Sequence, residues 1–147
     1  AEELNEKSEI FQIWFDPNIQ LSITKEASYD DYKSEDFEII EKNGTKIKKI
    51  AGKNCPMELS SEGIEINSYE ILEKNELSLK LQHDSVYSYF ILRGETTINK
   101  ERINEGDFFI VSDSEELEFN NNSNTKIFEI KSPKRPSYST YSERFMK

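Results

Sequence analysis

Apolar and polar residues alternate with period two along most of the chain, in short runs bounded by Gly, Asn, Asp, Ser and Pro. Alternate side chains of a strand point to opposite faces, so this pattern predicts half-buried β-strands rather than helices. About ten strands are expected. The first spans Ile10 to Phe15, with Phe11, Ile13 and Phe15 on one face and Trp14 on the other. Phe37 to Lys42 and Lys46 to Ala51 flank Asn43-Gly44, a dipeptide that tolerates positive φ and closes a two-residue hairpin. Ile64 to Ile66 and Tyr69 to Leu72 read as two short strands, and Glu76 to Gln82 alternates with Leu77, Leu79 and Leu81 facing inward. Val86 to Leu92 is the most apolar run. Glu95 to Ile98, Lys100 to Ile103, Phe108 to Val111, Glu116 to Phe119 and Thr125 to Lys131 complete the series, with Gly94 and Gly106-Asp107 at turns. Residues 19 to 33 have no clean period, and Ala27 to Tyr32 reads as a loop or short extended piece lying over other structure. Many short, evenly spaced strands imply an all-β sandwich or barrel, and a jelly roll fits best because closure removes exposed edges.

Composition narrows the function. The 147 residues carry 29 acids against 19 Lys plus Arg, a formal net charge of -10. So acidic a surface repels phosphate backbones and anionic lipid, which argues against nucleic-acid and membrane partners. No apolar run approaches membrane-spanning length, and the start AEELNEKSEI lacks a basic end and an apolar signal core, so a soluble, cytoplasmic protein is expected. The 9 Phe, 7 Tyr and 1 Trp provide a core despite an apolar fraction of 35%. The tail from Ser132 to Lys147 carries +3 (Lys134, Arg135, Arg144 and Lys147 against Glu143) and the remainder -13. With Tyr138, Tyr141 and Phe145 at intervals of three to four residues, it is expected to dock on the body as an ordered basic strap.

Tyr89-Phe-Ile-Leu-Arg-Gly-Glu95, Thr97-Ile98-Asn99 and Ile103-Asn-Glu-Gly-Asp-Phe-Phe-Ile-Val-Ser112 resemble the core of a cupin barrel, a jelly roll of the double-stranded β-helix type. Phe11-Gln-Ile-Trp-Phe-Asp-Pro17, Ala27-Ser-Tyr-Asp-Asp-Tyr32 and Arg135-Pro-Ser-Tyr-Ser-Thr-Tyr141 resemble the C-terminal half of pirin-type two-cupin proteins, the family that includes bacterial quercetin dioxygenases. The resemblance implies three segments: residues 1-9 as the remnant of a linker from an upstream cupin, 10-131 as the barrel, and 132-147 as the strap. In that family the divalent transition metal belongs to the N-terminal half, so this chain is expected to hold no cofactor and to do no chemistry alone. Glu2 or Glu3 would be the remnant of a ligand pair whose partners lie upstream. The expected partners are the upstream cupin half and a second copy in a homodimer. Two alternatives stay open: a parent that is a metal-dependent dioxygenase with this half shaping its pocket, and a stand-alone cupin that binds a small ligand or a protein.

Metal-binding cupins need two histidines, a glutamate and a later histidine pointing inward, because imidazoles and a carboxylate together hold a divalent ion with open positions. Counting back from Gly94, Leu81 and His83 occupy the two histidine positions, Tyr87 the glutamate position, and Glu116 lies near the later histidine. One imidazole does not hold a catalytic metal, so no metal ligand and no catalytic residue is assigned. If the strand path continues through Asp84-Ser85, parity places His83, Tyr87 and Tyr89 on the face of Leu77, Leu79 and Leu81, lining a barrel mouth. They form a candidate ligand pocket, and the same residues also suit a filled barrel core. Cys55, the single cysteine, precedes Pro56 in a loop, has no His or Asn available to complete a nucleophilic pair within a recognisable motif, and reads as a bystander. Lys46, Lys48, Lys49 and Lys53 read as a solvated strand edge that discourages edge pairing.

Overall fold

In a computed structural model, which describes residues 10–145, ten antiparallel strands form two packed sheets. The strands are β1 (Ile39–Lys42), β2 (Thr45–Ala51), β3 (Glu65–Ile71), β4 (Glu76–Lys80), β5 (Ser85–Arg93), β6 (Glu95–Ile98), β7 (Glu101–Asn104), β8 (Phe108–Ser112), β9 (Glu116–Asn120) and β10 (Thr125–Pro133). A six-stranded sheet has the order β1-β2-β3-β10-β5-β8, and a four-stranded sheet the order β4-β9-β6-β7. Two short helices, α1 (Ile19–Ser22) and α2 (Tyr141–Phe145), and a 3-10 turn at Ser34–Asp36 lie outside the sheets. The all-β jelly roll expected from the alternation is the fold observed.

The alternation closes one core between the sheets. Tyr69 and Ile71 of β3, Tyr87, Tyr89 and Ile91 of β5 and Ile127 of β10 face Leu77 of β4, Ile98 of β6 and Leu117 and Phe119 of β9. Tyr89 is the hub: its ring stacks on Phe109 at 5.1 Å and meets Phe119 edge-on at 5.5 Å. Such pairs add about 0.5–1.5 kcal/mol each to the area they bury.

Turn chemistry sets the registers. Asn43 and Gly44 both have positive φ, and Lys42 pairs with Thr45, which makes the predicted two-residue hairpin. Asn99 and Lys100 do the same between Ile98 and Glu101, so β7 starts one residue later than the alternation indicates. Gly94, with φ +79°, takes the chain from the six-stranded sheet to the four-stranded one, and a Cβ there would run into the carbonyl oxygen of Asn124.

Several sequence expectations need correction. Residues 10 to 15 form no strand. Their segment is an irregular arm whose Phe11 ring packs on the outer face of the six-stranded sheet, edge-on to Phe90 at 4.8 Å and tilted on Phe128 at 5.8 Å. Alternation produces a strand only where a neighbour supplies a hydrogen-bonding edge, and the arm pairs with neither β1 nor β8, the two edges of that sheet. The two strands predicted between Ile64 and Leu72 are one, β3, because Asn67 and Ser68 stay in the ladder with β10. The lysines of β2 are not on an edge, since β2 lies between β1 and β3. Lys46 and Lys49 instead bridge to Glu41 and Glu38, each at 3.3 Å, and Lys48 bonds the Ser34 hydroxyl.

Ser132 and Pro133 belong to β10, two residues into the segment expected as tail. Beyond them, the Tyr138 hydroxyl donates to the Asp16 carbonyl at 2.8 Å, the Tyr141 N–H donates to the Asp16 carboxylate, and Ser137 bonds Glu62. The tail is thereby tied to the arm and to the loop before β3. The expected linker remnant at 1-9, with Glu2 and Glu3, lies outside the described residues.

Candidate binding site at the barrel mouth

The site follows from the register of three neighbouring strands. Glu129 of β10 pairs with Asn67 of β3 on one side and with Tyr89 of β5 on the other. One row nearer the mouth, Lys131 pairs with Glu65 and with Tyr87; one row deeper, Ile127 pairs with Tyr69 and Ile91. Rows in register share a face because the side-chain period of a strand is two. The inner face of the sheet therefore runs from an apolar floor, through a polar row, to a charged rim.

Glu129 is only 3% exposed. Its Oε1 accepts hydrogen bonds from Asn67 Nδ2 and from the Tyr69 hydroxyl, both at 2.9 Å. The Tyr89 hydroxyl is fully buried beside it and has no hydrogen-bond partner among the described residues. Burial pushes both the Tyr69 and Tyr89 phenols well above their ordinary pKa, and the Glu129 charge pushes them further. Each therefore keeps its proton at neutral pH. At the rim, Lys131 Nζ bonds Glu65 Oε1 at 2.7 Å, a cross-strand ion pair, and the Tyr87 hydroxyl accepts the Gln82 N–H at 3.0 Å. A cavity of about 270 Å³ opens here, lined by Glu65, Asn67, Tyr69, Tyr87, Glu129 and Lys131 among others. It has room for a small polar molecule, near the lower end of the size of ligand pockets.

The three residues singled out from sequence are not together at this mouth. Tyr87 and Tyr89 are buried on the inner face, stacked 6.5 Å apart. His83 is not with them: β4 stops at Lys80, the chain turns before Ser85, and the imidazole projects to solvent, 65% exposed, 3.3 Å from Glu115. The parity count failed because it assumed an unbroken strand through Asp84-Ser85. Glu129, Asn67 and Tyr69 were missed. A charged residue in the inward series Thr125, Ile127, Glu129 was a visible signal, whereas its partner on β3 depends on a register that composition does not specify.

No family model matches the chain, and no curated protein does. Solved structures do. Quercetin 2,3-dioxygenase from Acinetobacter baumannii superposes with a TM-score of 0.64 at 17% identity, covering 72% of this chain and 39% of that one. An RmlC-like cupin from Shewanella frigidimarina gives 0.57 at 16% identity, over 74% of this chain and 94% of that one. The bacterial pirin YhhW from Escherichia coli, in complex with nickel(II), gives 0.51 at 12% identity, over 55% and 35%. The chain has the cupin fold. It spans less than half the length of the dioxygenase it resembles.

The positions that the count back from Gly94 assigned to metal ligands do not fit a divalent ion. Leu81 is buried in apolar packing, Tyr87 has its hydroxyl engaged by the backbone of Gln82, and His83 faces away toward Glu115. Glu116 is exposed and accepts from the Ser78 hydroxyl. Among the described residues no three His, Cys, Asp or Glu side chains come together as ligands. Among them, too, no helix is long and apolar enough to cross a membrane.

Proposed function

We propose that this cupin is the non-catalytic, metal-free C-terminal half of a pirin-like two-cupin protein, serving packing, subunit contact and the shaping of a metal site in an N-terminal half. The observation that carries this reading is the replacement of the inward-facing ligand set by Leu81 and Tyr87, with the one imidazole, His83, turned outward. A barrel with this lining offers neither the imidazoles nor the open coordination that metal-assisted chemistry needs. The packing role is supported by the outer face of the six-stranded sheet. There Phe128, Phe90 and Phe108 lie in one cross-strand row, with Ile130, Ser88 and Ile110 in the next. Phe108 and Ile110, on the edge strand β8, are each 59% exposed, and Trp14 on the arm is 84% exposed. Large apolar groups in that setting favour contact with the upstream half or with a second copy in a symmetric dimer.

A second reading, supported by the 39% span of the dioxygenase, is that the parent is a metal-dependent dioxygenase in which this barrel shapes the pocket. A third, a stand-alone ligand-binding cupin, is supported by the match to nearly the whole Shewanella protein. The chain should be incubated with a flavonol, air and iron(II), manganese(II) or nickel(II) while oxygen uptake is followed. The proposal predicts no uptake above a protein-free control. Uptake that disappears in the His83→Ala variant would overturn it. In sedimentation velocity the same chain should run as a dimer that Ile110→Lys weakens; a monomer at high concentration would remove the self-contact from the account.

A further inference from the structure

We propose that the mouth of the barrel binds a small organic ammonium ion, with the Glu129 carboxylate as counter-ion and the Tyr69 and Tyr87 rings as walls. This goes beyond the packing role and does not depend on it. A carboxylate as deeply buried as Glu129 loses several kcal/mol of solvation unless a positive charge compensates it. Among the described residues no basic group lies within ion-pair distance of it. Its two donors, Asn67 and Tyr69, are neutral and converge on one oxygen, Oε1. The nearest lysine in register, Lys131, is already paired with Glu65 at 2.7 Å.

A second, independent observation points to the same place. The Tyr89 hydroxyl, adjacent to Glu129 across the ladder, is fully buried and unpartnered. Unsatisfied buried hydroxyls are rare because each forfeits a hydrogen bond to water. The polar row thus holds a buried carboxylate without a counter-ion and a hydroxyl without a partner, and the carboxylate lines the cavity of about 270 Å³.

The wall chemistry selects among ligands. Aromatic faces together with a carboxylate attract ammonium groups, through the ring quadrupole as well as the charge. An anion has a worse fit: of the two lysines that line the cavity, Lys131 is committed to Glu65, and Lys80 makes no ion pair with Glu129 among the described residues. A primary ammonium also brings N–H donors for the carboxylate, which a quaternary one lacks.

The test is an NMR titration of the full chain with ethylammonium chloride at constant ionic strength, with tetramethylammonium chloride and sodium acetate as parallel arms. Saturable shifts of the Asn67, Tyr69 and Glu129 amides are expected, weaker with tetramethylammonium and absent with acetate. Glu129→Gln should weaken binding by about tenfold or more, roughly 1.4 kcal/mol. If that variant does not fold, Lys131→Gln keeps the test decisive, since removing a competing positive charge at the rim should tighten binding severalfold. No saturable shift at these amides up to ~100 mM, where even a millimolar site would be filled, equal shifts with acetate, unchanged affinity in folded Glu129→Gln, or unchanged or weaker affinity in Lys131→Gln would each overturn the proposal.

Discussion

The two ends of the space between the sheets are built on different physics from the same strands. At the closed end Ile71, Ile91, Ile127 and Phe119 are at most 1% exposed and belong to one apolar cluster. At the mouth, two residues further along β10, Glu129 is nearly as buried but is surrounded by hydroxyls, an amide and an ion pair. Apolar packing is non-directional and its strength follows area and volume. The polar row instead depends on the alignment of a few atoms, and part of it is left unsatisfied. The closed end therefore carries the stability of the barrel, and the recognition proposed above falls to the mouth.

Substitutions should separate the two. Phe119→Ala empties the closed end where Tyr89 and Phe109 pack, and should destabilise the chain by about 3–5 kcal/mol in chemical denaturation. A loss below about 1 kcal/mol would mean that the closed end is not the stabilising half.

Alkali should act on the mouth. Tyr69 and Tyr89 are raised above 10.0, by burial first and then by the Glu129 charge. In the unfolded chain they ionise near that ordinary value, so the unfolded state loses protons that the folded state retains. Their stabilising contribution is complete below about pH 10 and is lost progressively as pH rises above it. Denaturation midpoints measured on either side of that pH should fall more steeply in the wild type than in Tyr69→Phe, which has one such phenol fewer. Parallel slopes would contradict the assignment.

Glu129→Leu should cost about 1–3 kcal/mol, because Asn67 and Tyr69 lose their acceptor. The smallest effect is expected from Tyr89→Phe. It removes a hydroxyl that has no partner and keeps the stacked ring, so stability should stay within about 1 kcal/mol and change upward rather than downward. A loss beyond that would reveal a hydrogen bond that the geometry does not contain.

The strands of the barrel were legible where the chain itself supplied the constraint. Asn43-Gly44 fixed a hairpin through its dihedral preferences, and the alternation of Leu77, Leu79 and Leu81 placed β4 with its inner face correct. Phe11, Ile13 and Phe15 showed the same alternation and misled, because whether a run pairs depends on an edge supplied from elsewhere. His83 misled for a related reason: a turn after β4 breaks the parity that would have carried it inward. Tyr87 and Tyr89 were read on the correct face of β5. The chemistry beside them was harder to see, since Glu129 meets Asn67 only through pairing of strands about sixty residues apart, and such long-range register leaves no local trace.

The polar chemistry proposed for this barrel sits at Glu129 and not at the histidine. Elemental analysis of the chain, after exposure to nickel(II) or iron(II) and exhaustive dialysis, tests it directly. The donor set predicts well under about 0.1 metal per chain, with no change in His83→Ala, because one exposed imidazole and one carboxylate bind a divalent ion too weakly to survive dialysis. Close to one metal per chain, lost in His83→Ala, would contradict it.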